Sequence, residues 1–455
     1  MRRMVWAFAA GAAVICHVPE PVFAQVEISL RPQLRPAVLG DIVALQTPQE
    51  QVVQVSMIRP VLRPLGLAER PGEAVTQVSV QDPQFRAWIA GFKRRALAAG
   101  INSAVFDRAF SGVQFDPSVI KLDRNQSEFT KEIWEYLDFA VAPSRVTNGQ
   151  RMLRRHGRTL DRIEAHFGVE KEVVTAIWGM ESAYGERRGD RPLIESLATL
   201  AYDGRRGAFF EKQLIAALKI IQAGDVAPRN MTGSWAGAMG HTQFIPTSYE
   251  AYAVDFTGDG KRDIWSDDPT DALASTAAYL KRFGWKKGQP WGVEVKLPQG
   301  FDAGRARRNL TQNPAAWTNE GVRDMAGRPV PNYGAASILL PAGTQGAAFM
   351  IFDNFGVIER YNKADAYVIG VGHLSDRIKG GPEIQASWPR QYEPTSIEEK
   401  KEIQRRLRRK GFAVEKIDGM IGPNTTAAIR AYQASRNLPA DGFASMPLLQ
   451  HLRGR

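Results

Sequence analysis

Between residues 83 and 283, apolar side chains recur with the period of an α-helix and seldom with that of a strand. Phe85, Trp88, Ile89, Phe92 and Ala96 fall at i, i+3, i+4, i+7 and i+11, which puts them on one helical face. The same spacing returns over 119–122, 129–139, 151–166, 171–184, 209–221, 247–255 and 271–283. Only 292–297 and 347–352 read as strands. The predicted fold is mainly α with a minor β part. A core of about 300 residues is long enough to bury a large interior.

The flanks differ in kind from this core. Arg2 and Arg3 precede an apolar run from Val5 to Ile15, and Val22-Phe23-Ala24 offers a cleavage site. Residues 1–24 therefore read as a secretory signal peptide and the mature chain as a periplasmic protein. The run is too short to span a bilayer, which takes about 20 residues. Lipidation at Cys16 is the alternative, and the bulk of Ile15 argues against it. Residues 25–82 are rich in proline, and Arg-Pro pairs recur in two similar pieces, at 31–32 with 35–36 and at 59–60 with 63–64. Such pairs favour extended backbone, so the segment reads as a disordered tether, or as a contact to an anionic surface. Cys16 is the single cysteine in 455 residues. Without it there are no disulfides, no thiolate metal ligands and no thiol nucleophile. The six histidines show no metal-ligand spacing.

Residues 173–185 carry the most chemistry. At 100° per residue, Val173, Val174, Ile177, Trp178, Met180 and Tyr184 form an apolar arc, and Glu181 falls inside it. Burial disfavours a charged carboxylate, so Glu181 is expected to hold its proton, as a general acid must. An ion pair with Arg187, Arg188 or Arg191 is the structural alternative. The second segment, Gly233-Ser234-Trp235-Ala236-Gly237-Ala238-Met239-Gly240, leads through His241 and Gln243 to Pro246. Its small residues allow a backbone to approach a ligand closely, or two helices to pack tightly. Gln243 can donate and accept toward a sugar. His241 reads as a surface or supporting residue rather than a base.

Trp178-Gly179-Met180-Glu181-Ser182 with Tyr184-Gly185, and the glycine segment with Gln243-Phe244-Ile245-Pro246-Thr247-Ser248-Tyr249, together resemble the B-type lytic murein transglycosylases. The resemblance spans roughly residues 83–390. It implies a lysozyme-like, α-rich catalytic fold. The implied reaction is cleavage of the β-1,4 bond between N-acetylmuramic acid and N-acetylglucosamine in peptidoglycan. It further implies that Glu181 is the single acid/base, that a 1,6-anhydro end forms, and that no cofactor takes part in the chemistry. Ser234, Met239, Gln243, Tyr279, Tyr361 and Tyr136 would meet the glycan.

Two further segments carry motifs. Asp255, Thr257, Asp259, Lys261 (through its carbonyl) and Asp263 occupy loop positions 1, 3, 5, 7 and 9 of an EF-hand-like pattern, with Gly260 at position 6. Asp267, Asp268 or Asp271 could close it, and by the resemblance Asp271 matches best. The expected ion is a structural calcium, and a metal-free Asp/Gly turn is the alternative. Residues 396–453 hold a helical stripe, Asp418-Gly419 and Asp441-Gly442. They resemble a peptidoglycan-binding domain and read as a tethered second site whose loss would spare cleavage of soluble fragments.

From Ser396 on, twelve Lys or Arg face six Asp or Glu, in a chain of net charge +11. Export makes nucleic acid an improbable target for this charge, and an anionic envelope polymer suits it better. Glycan strands are the expected partner, with other cell-wall enzymes beside them and no transmembrane segment. A hydrolytic muramidase and a non-catalytic wall-binding scaffold are the competing functions.

Overall fold

The computed structural model describes residues 82–124 and 132–454. The signal peptide, nearly all of the Pro-rich segment and the start of the 129–139 run lie outside the described residues. Seventeen α-helices and seven short strands follow one another within them.

The helix Lys171–Ser182 runs through the middle of the large domain. Nine of its twelve residues are buried. The helices Pro143–Arg155, Gly157–Phe167, Thr270–Arg282 and Asp365–Lys379 pack around it. It stops where Ala183 and Tyr184 take left-handed φ values of 51° and 62°, followed by Gly185 at 91°. For residues with a Cβ this conformation costs about 1–2 kcal/mol each. Three hydrogen bonds hold it. Ser182 Oγ accepts from Gly185 N at 2.9 Å, Tyr184 Oη donates to the Arg145 carbonyl at 2.7 Å, and Arg145 donates to the Gly179 carbonyl at 2.9 Å.

The structure departs from the periodicity at identifiable places. The 151–166 run is two helices, broken at His156 (φ −108°, ψ 19°) just before Gly157, a weak helix former. Leu193–Asp203 and Asp365–Lys379 are helices that the pattern does not predict. Both are buried nearly all round, so neither presents the polar face that marks an amphipathic helix.

The β part is a four-stranded antiparallel sheet, in the order Arg323–Asp324, Gly292–Lys296, Ala348–Ile351, Ser337–Leu339. It closes over a core of its own around Trp317, Ile338 and Met350. Trp291, just before the sheet, joins this lobe to the helix Asp365–Lys379. Its Nε1 donates to Asp376 Oδ2 at 2.8 Å, and its ring lies on Gly372.

The C-terminal helices Ile397–Arg409, Pro423–Ser435 and Met446–Arg453 enclose Ile403, Leu407, Ile429, Tyr432 and Leu449. A glutamine pins each Asp-Gly turn of this bundle. Gln404 Oε1 accepts from the amides of Asp418 and Gly419, and Gln433 Oε1 accepts from Gly442 N. The bundle also touches the large domain. Phe443 packs against the core of the large domain, and Thr395, just ahead of the bundle, bonds to Glu132.

A Cβ on Gly372 would stand 2.4 Å from the Trp291 ring. Gly372→Ala is expected to destabilise the protein by about 1–3 kcal/mol, read as a lower midpoint in urea unfolding.

Candidate active site

Glu181 occupies the last turn of Lys171–Ser182. It is partly exposed, between the buried Met180 and Ser182. The Tyr367 hydroxyl, from the helix Asp365–Lys379, donates to Glu181 Oε1 at 2.7 Å. Two of the three arginines weighed as ion-pair partners are engaged elsewhere. Arg188 holds the carbonyls of Trp265 and Ser266 and the Asp267 carboxylate. Arg191 holds Asp116 and Ser118. The third, Arg187, is exposed.

Tyr136 lies beside Glu181 on the helix Ile133–Ala140. Its hydroxyl is buried with no hydrogen-bond partner. Burial first, and the negative charge of Glu181 second, push the phenol pKa up, so it stays a proton donor. An unmatched buried donor is costly unless a ligand meets it. Gly370 makes room for it, since a Cβ there would stand 3.1 Å from Tyr136 Cε1 and 3.2 Å from Met180 Cε.

The glycine segment forms the adjoining wall. Thr232–Gly233 pairs antiparallel with Arg191–Pro192, and Met239 bridges back to Gly233 and on to Phe244. Gly240 takes φ 67° where a Cβ would meet the Ile264 carbonyl at 2.2 Å. Ser234 Oγ accepts from Ala238 N at 3.0 Å. Gln243 Nε2 donates to the carbonyls of Arg188 and Gly240 at 2.9 and 2.8 Å. Ser234, Met239 and Gln243 are thus gathered on one loop, and all three are buried. Side chains flanking Glu181 stitch this loop to its helix. Ser182 Oγ donates to the His241 carbonyl at 2.5 Å, and Trp178 Nε1 donates to His241 Nδ1 at 3.1 Å.

Tyr279 and Tyr361 are each 1% exposed. Their hydroxyls bond to the carbonyls of Arg360 and Thr242. They form a layer behind Phe244, and the Tyr361 ring stacks on Tyr367 at 6.5 Å. Tyr279 and Tyr361, two of the three tyrosines expected along the glycan, therefore pack behind this loop. Besides Tyr136, Tyr367 reaches Glu181, and the sequence does not point to it. No motif marks it, and its helix is hidden by burial.

His241 is buried, not a surface residue. Because Nδ1 accepts from Trp178, the proton sits on Nε2, which donates to the Ser266 carbonyl at 2.7 Å. Burial pushes its pKa down to about 4, so the ring is neutral at ordinary pH.

The acidic loop converges as well. Carboxylate oxygens of Asp255, Asp259 and Asp271 lie within 4.8 Å of one another. Asp271 closes the loop, accepting from the amides of Phe256, Thr257 and Asp263. Asp267 instead pairs with Arg188, and Asp268 caps Thr270. Asp263 turns to the amides of Trp265 and Ser266. Thr257 Oγ1 donates to Asp255, and Lys261 N donates to Asp259. Burial, against three amide donors and with Asp255 adding repulsion, pushes Asp271 up to about 6. Two buried acids and one exposed acid make an oxygen donor set that fits a hard cation.

Comparison with known proteins adds the family. Residues 84–376 match the Transglycosylase SLT domain and residues 397–452 a peptidoglycan binding domain. Membrane-bound lytic murein transglycosylase B of Escherichia coli is 33% identical over 277 residues, 57% of this chain and 74% of the relative. The crystal structure of SltB3 from Pseudomonas aeruginosa in complex with NAG-anhNAM-pentapeptide is 50% identical. It superposes with a TM-score of 0.79 over 81% of this chain and 99% of that one. The E. coli lytic transglycosylase Slt35 in complex with calcium is 29% identical, with a TM-score of 0.54 over 66% of this chain and 93% of that one.

The buried His241 sets a pH-dependent term. Its folded pKa lies below the ordinary value, so between pH 6.5 and 4 the unfolded chain binds more protons. Stability from this group is complete above pH 6.5 and falls as pH drops toward 4. Relative to His241→Gln, the wild type is expected to lose about 3 kcal/mol across that window, measured by denaturant unfolding at a series of pH values.

Proposed function

The chain belongs to the transglycosylase SLT family, and from that premise we propose that it cleaves peptidoglycan glycan strands with Glu181 as the single acid and base. The activity is that of a peptidoglycan lytic transglycosylase. The proposed bond is the β-1,4 link between N-acetylmuramic acid and N-acetylglucosamine, and the product is a 1,6-anhydro end. The observation that carries this reading is the 2.7 Å hydrogen bond from Tyr367 to Glu181 Oε1.

Glu181 gives its proton to the bridging oxygen as the C1–O bond breaks. The resulting carboxylate takes the proton of the muramyl C6 hydroxyl, whose oxygen closes on C1. No water is consumed and no second carboxylate is required, unlike the two-carboxylate glycosidases. The Tyr367 donor steadies the carboxylate stage and fixes the rotation of the group. The unmatched Tyr136 hydroxyl is assigned to the glycan, as are Ser234, Met239 and Gln243 along the loop. Tyr279 and Tyr361 hold that wall from behind.

The remaining assignments follow the same reading. Residues 83–390 carry catalysis and 396–453 bind the wall. Residues 1–24 direct export to the periplasm. No helix among the described residues is long and apolar enough to cross a membrane. Asp255, Asp259 and Asp271, with Thr257 and the Lys261 carbonyl, would hold a calcium ion. It would brace the loop and take no part in the reaction.

Glu181→Gln is expected to lower turnover of glycan fragments by about 10²–10⁴-fold. Mass spectrometry of wild-type digests should show fragments one water lighter than hydrolysed ones. Reducing ends would indicate a muramidase, and an unimpaired Glu181→Gln would leave a scaffold. Calcium at about 100 times its Kd should stabilise the wild type by about 2.7 kcal/mol. Asp271→Asn should abolish that gain in thermal melts, and a chelator should reverse it in the wild type.

A further inference from the structure

The helix that carries Tyr136 packs on one side against Asp365–Lys379 and is met on another by the far end of the chain. Ile133–Ala140 has eight residues, too short to hold its own shape in water. Its N-terminal flank and two of its side chains meet partners from residues 388–443. Glu132, just ahead of its first turn, accepts from Thr395 N at 3.2 Å, and Lys400 Nζ lies 3.9 Å away. The Trp134 ring sits 6.4 Å from Trp388 and 6.5 Å from Phe443. Asp138 takes both guanidinium nitrogens of Arg390 at 2.7 Å. Glu132, Trp134 and Thr395 are all buried, so this is packed interior rather than passing surface contact.

The C-terminal bundle is itself anchored on its other side. Asp441 Oδ2 accepts from Thr344 N at 3.2 Å, and Arg430 donates to the Ala306 carbonyl at 2.5 Å. Gly343 permits this approach, since a Cβ there would stand 2.5 Å from the Asp441 carboxylate. The Asp441-Gly442-Phe443 turn is therefore engaged by the large domain and its sheet lobe. The bundle spans the two, and the Tyr136 helix is clamped beneath it.

We propose that the docked C-terminal bundle, through Phe443, Lys400 and the preceding Thr395, positions the Tyr136 hydroxyl beside Glu181. The wall-binding unit is then also a brace of the active site, and its loss slows cleavage of fragments too small to bind it. The proposal rests on the reading that Tyr136 meets the glycan. A shift of about 1 Å in such a group can cost up to 10²-fold in rate. Phe443, Lys400 and Thr395 act through Tyr136 and are positioning residues.

The test measures kcat and KM of the full-length protein on soluble glycan fragments. Phe443→Ala and the double variant Thr395→Val/Lys400→Met are each made alone and together with Tyr136→Phe. Each brace variant should lower kcat/KM about fivefold or more when Tyr136 is present. It should have little further effect once the hydroxyl is gone, the non-additivity of groups that act as one. Equal losses in both backgrounds, or no loss in either, overturn the proposal. The double variant removes polar contacts only, so it decides the question should Phe443→Ala fail to fold. A wild type without turnover on these fragments defeats the transglycosylase reading and the brace with it. An active wild type with additive variants defeats the brace alone.

Discussion

The hydrogen bond from Tyr367 to Glu181 joins two helices that are far apart in the chain and buried over most of their surface. A carboxyl group that serves first as an acid and then as a base must be held within reach of both reacting oxygens. Much of the large domain serves that end. The left-handed pair Ala183 and Tyr184 stops one helix directly after Glu181. Gly370 and Gly372 let the other helix lie against Tyr136, Met180 and Trp291 with no Cβ in the way. Trp291 ties that helix to the sheet lobe through Asp376. The β part, small as it is, thereby helps set where Tyr367 stands.

The glycine segment is held to the same helix by groups that leave no charge in the contact. Ser182 reaches the His241 backbone, Trp178 reaches the His241 ring, and the neutral ring passes its own proton to Ser266. A protonated imidazole would turn the Trp178 contact into two opposed donors. Arg188 lies nearby and works in the same direction. The loop wall and the Glu181 helix are thus bonded directly to each other, and the tyrosine layer of Tyr279 and Tyr361 supports them from behind.

In the chain order, a large domain and a small bundle follow each other as separate pieces. In space they interlock. The short helix carrying Tyr136 lies between the core that holds Glu181 and the surface that carries Thr395, Lys400 and Phe443. One polypeptide region can therefore serve substrate capture and site geometry together, because a helix of two turns takes its position from whatever packs on it.

The residues themselves were enough to establish the helix-rich class and to mark the acid at 181, the glycine segment and the acidic loop as candidates. Each of these is a local pattern: a period, a charge in an apolar arc, a run of small residues, oxygens at alternating positions. Tyr367 left no such mark, because its helix is buried over most of its surface and carries two glycines. The place of Tyr279 and Tyr361 behind the wall was equally illegible, since exposure is a property of neighbours brought from elsewhere. The choice of Asp271 over Asp267 and Asp268 was decided by where three loop amides point and by Arg188 taking Asp267. Which groups are chemically able is written in the order of the amino acids. Which of them meet is decided by packing between segments that the chain order keeps apart, by 15 residues at Asp271 and by 186 at Tyr367.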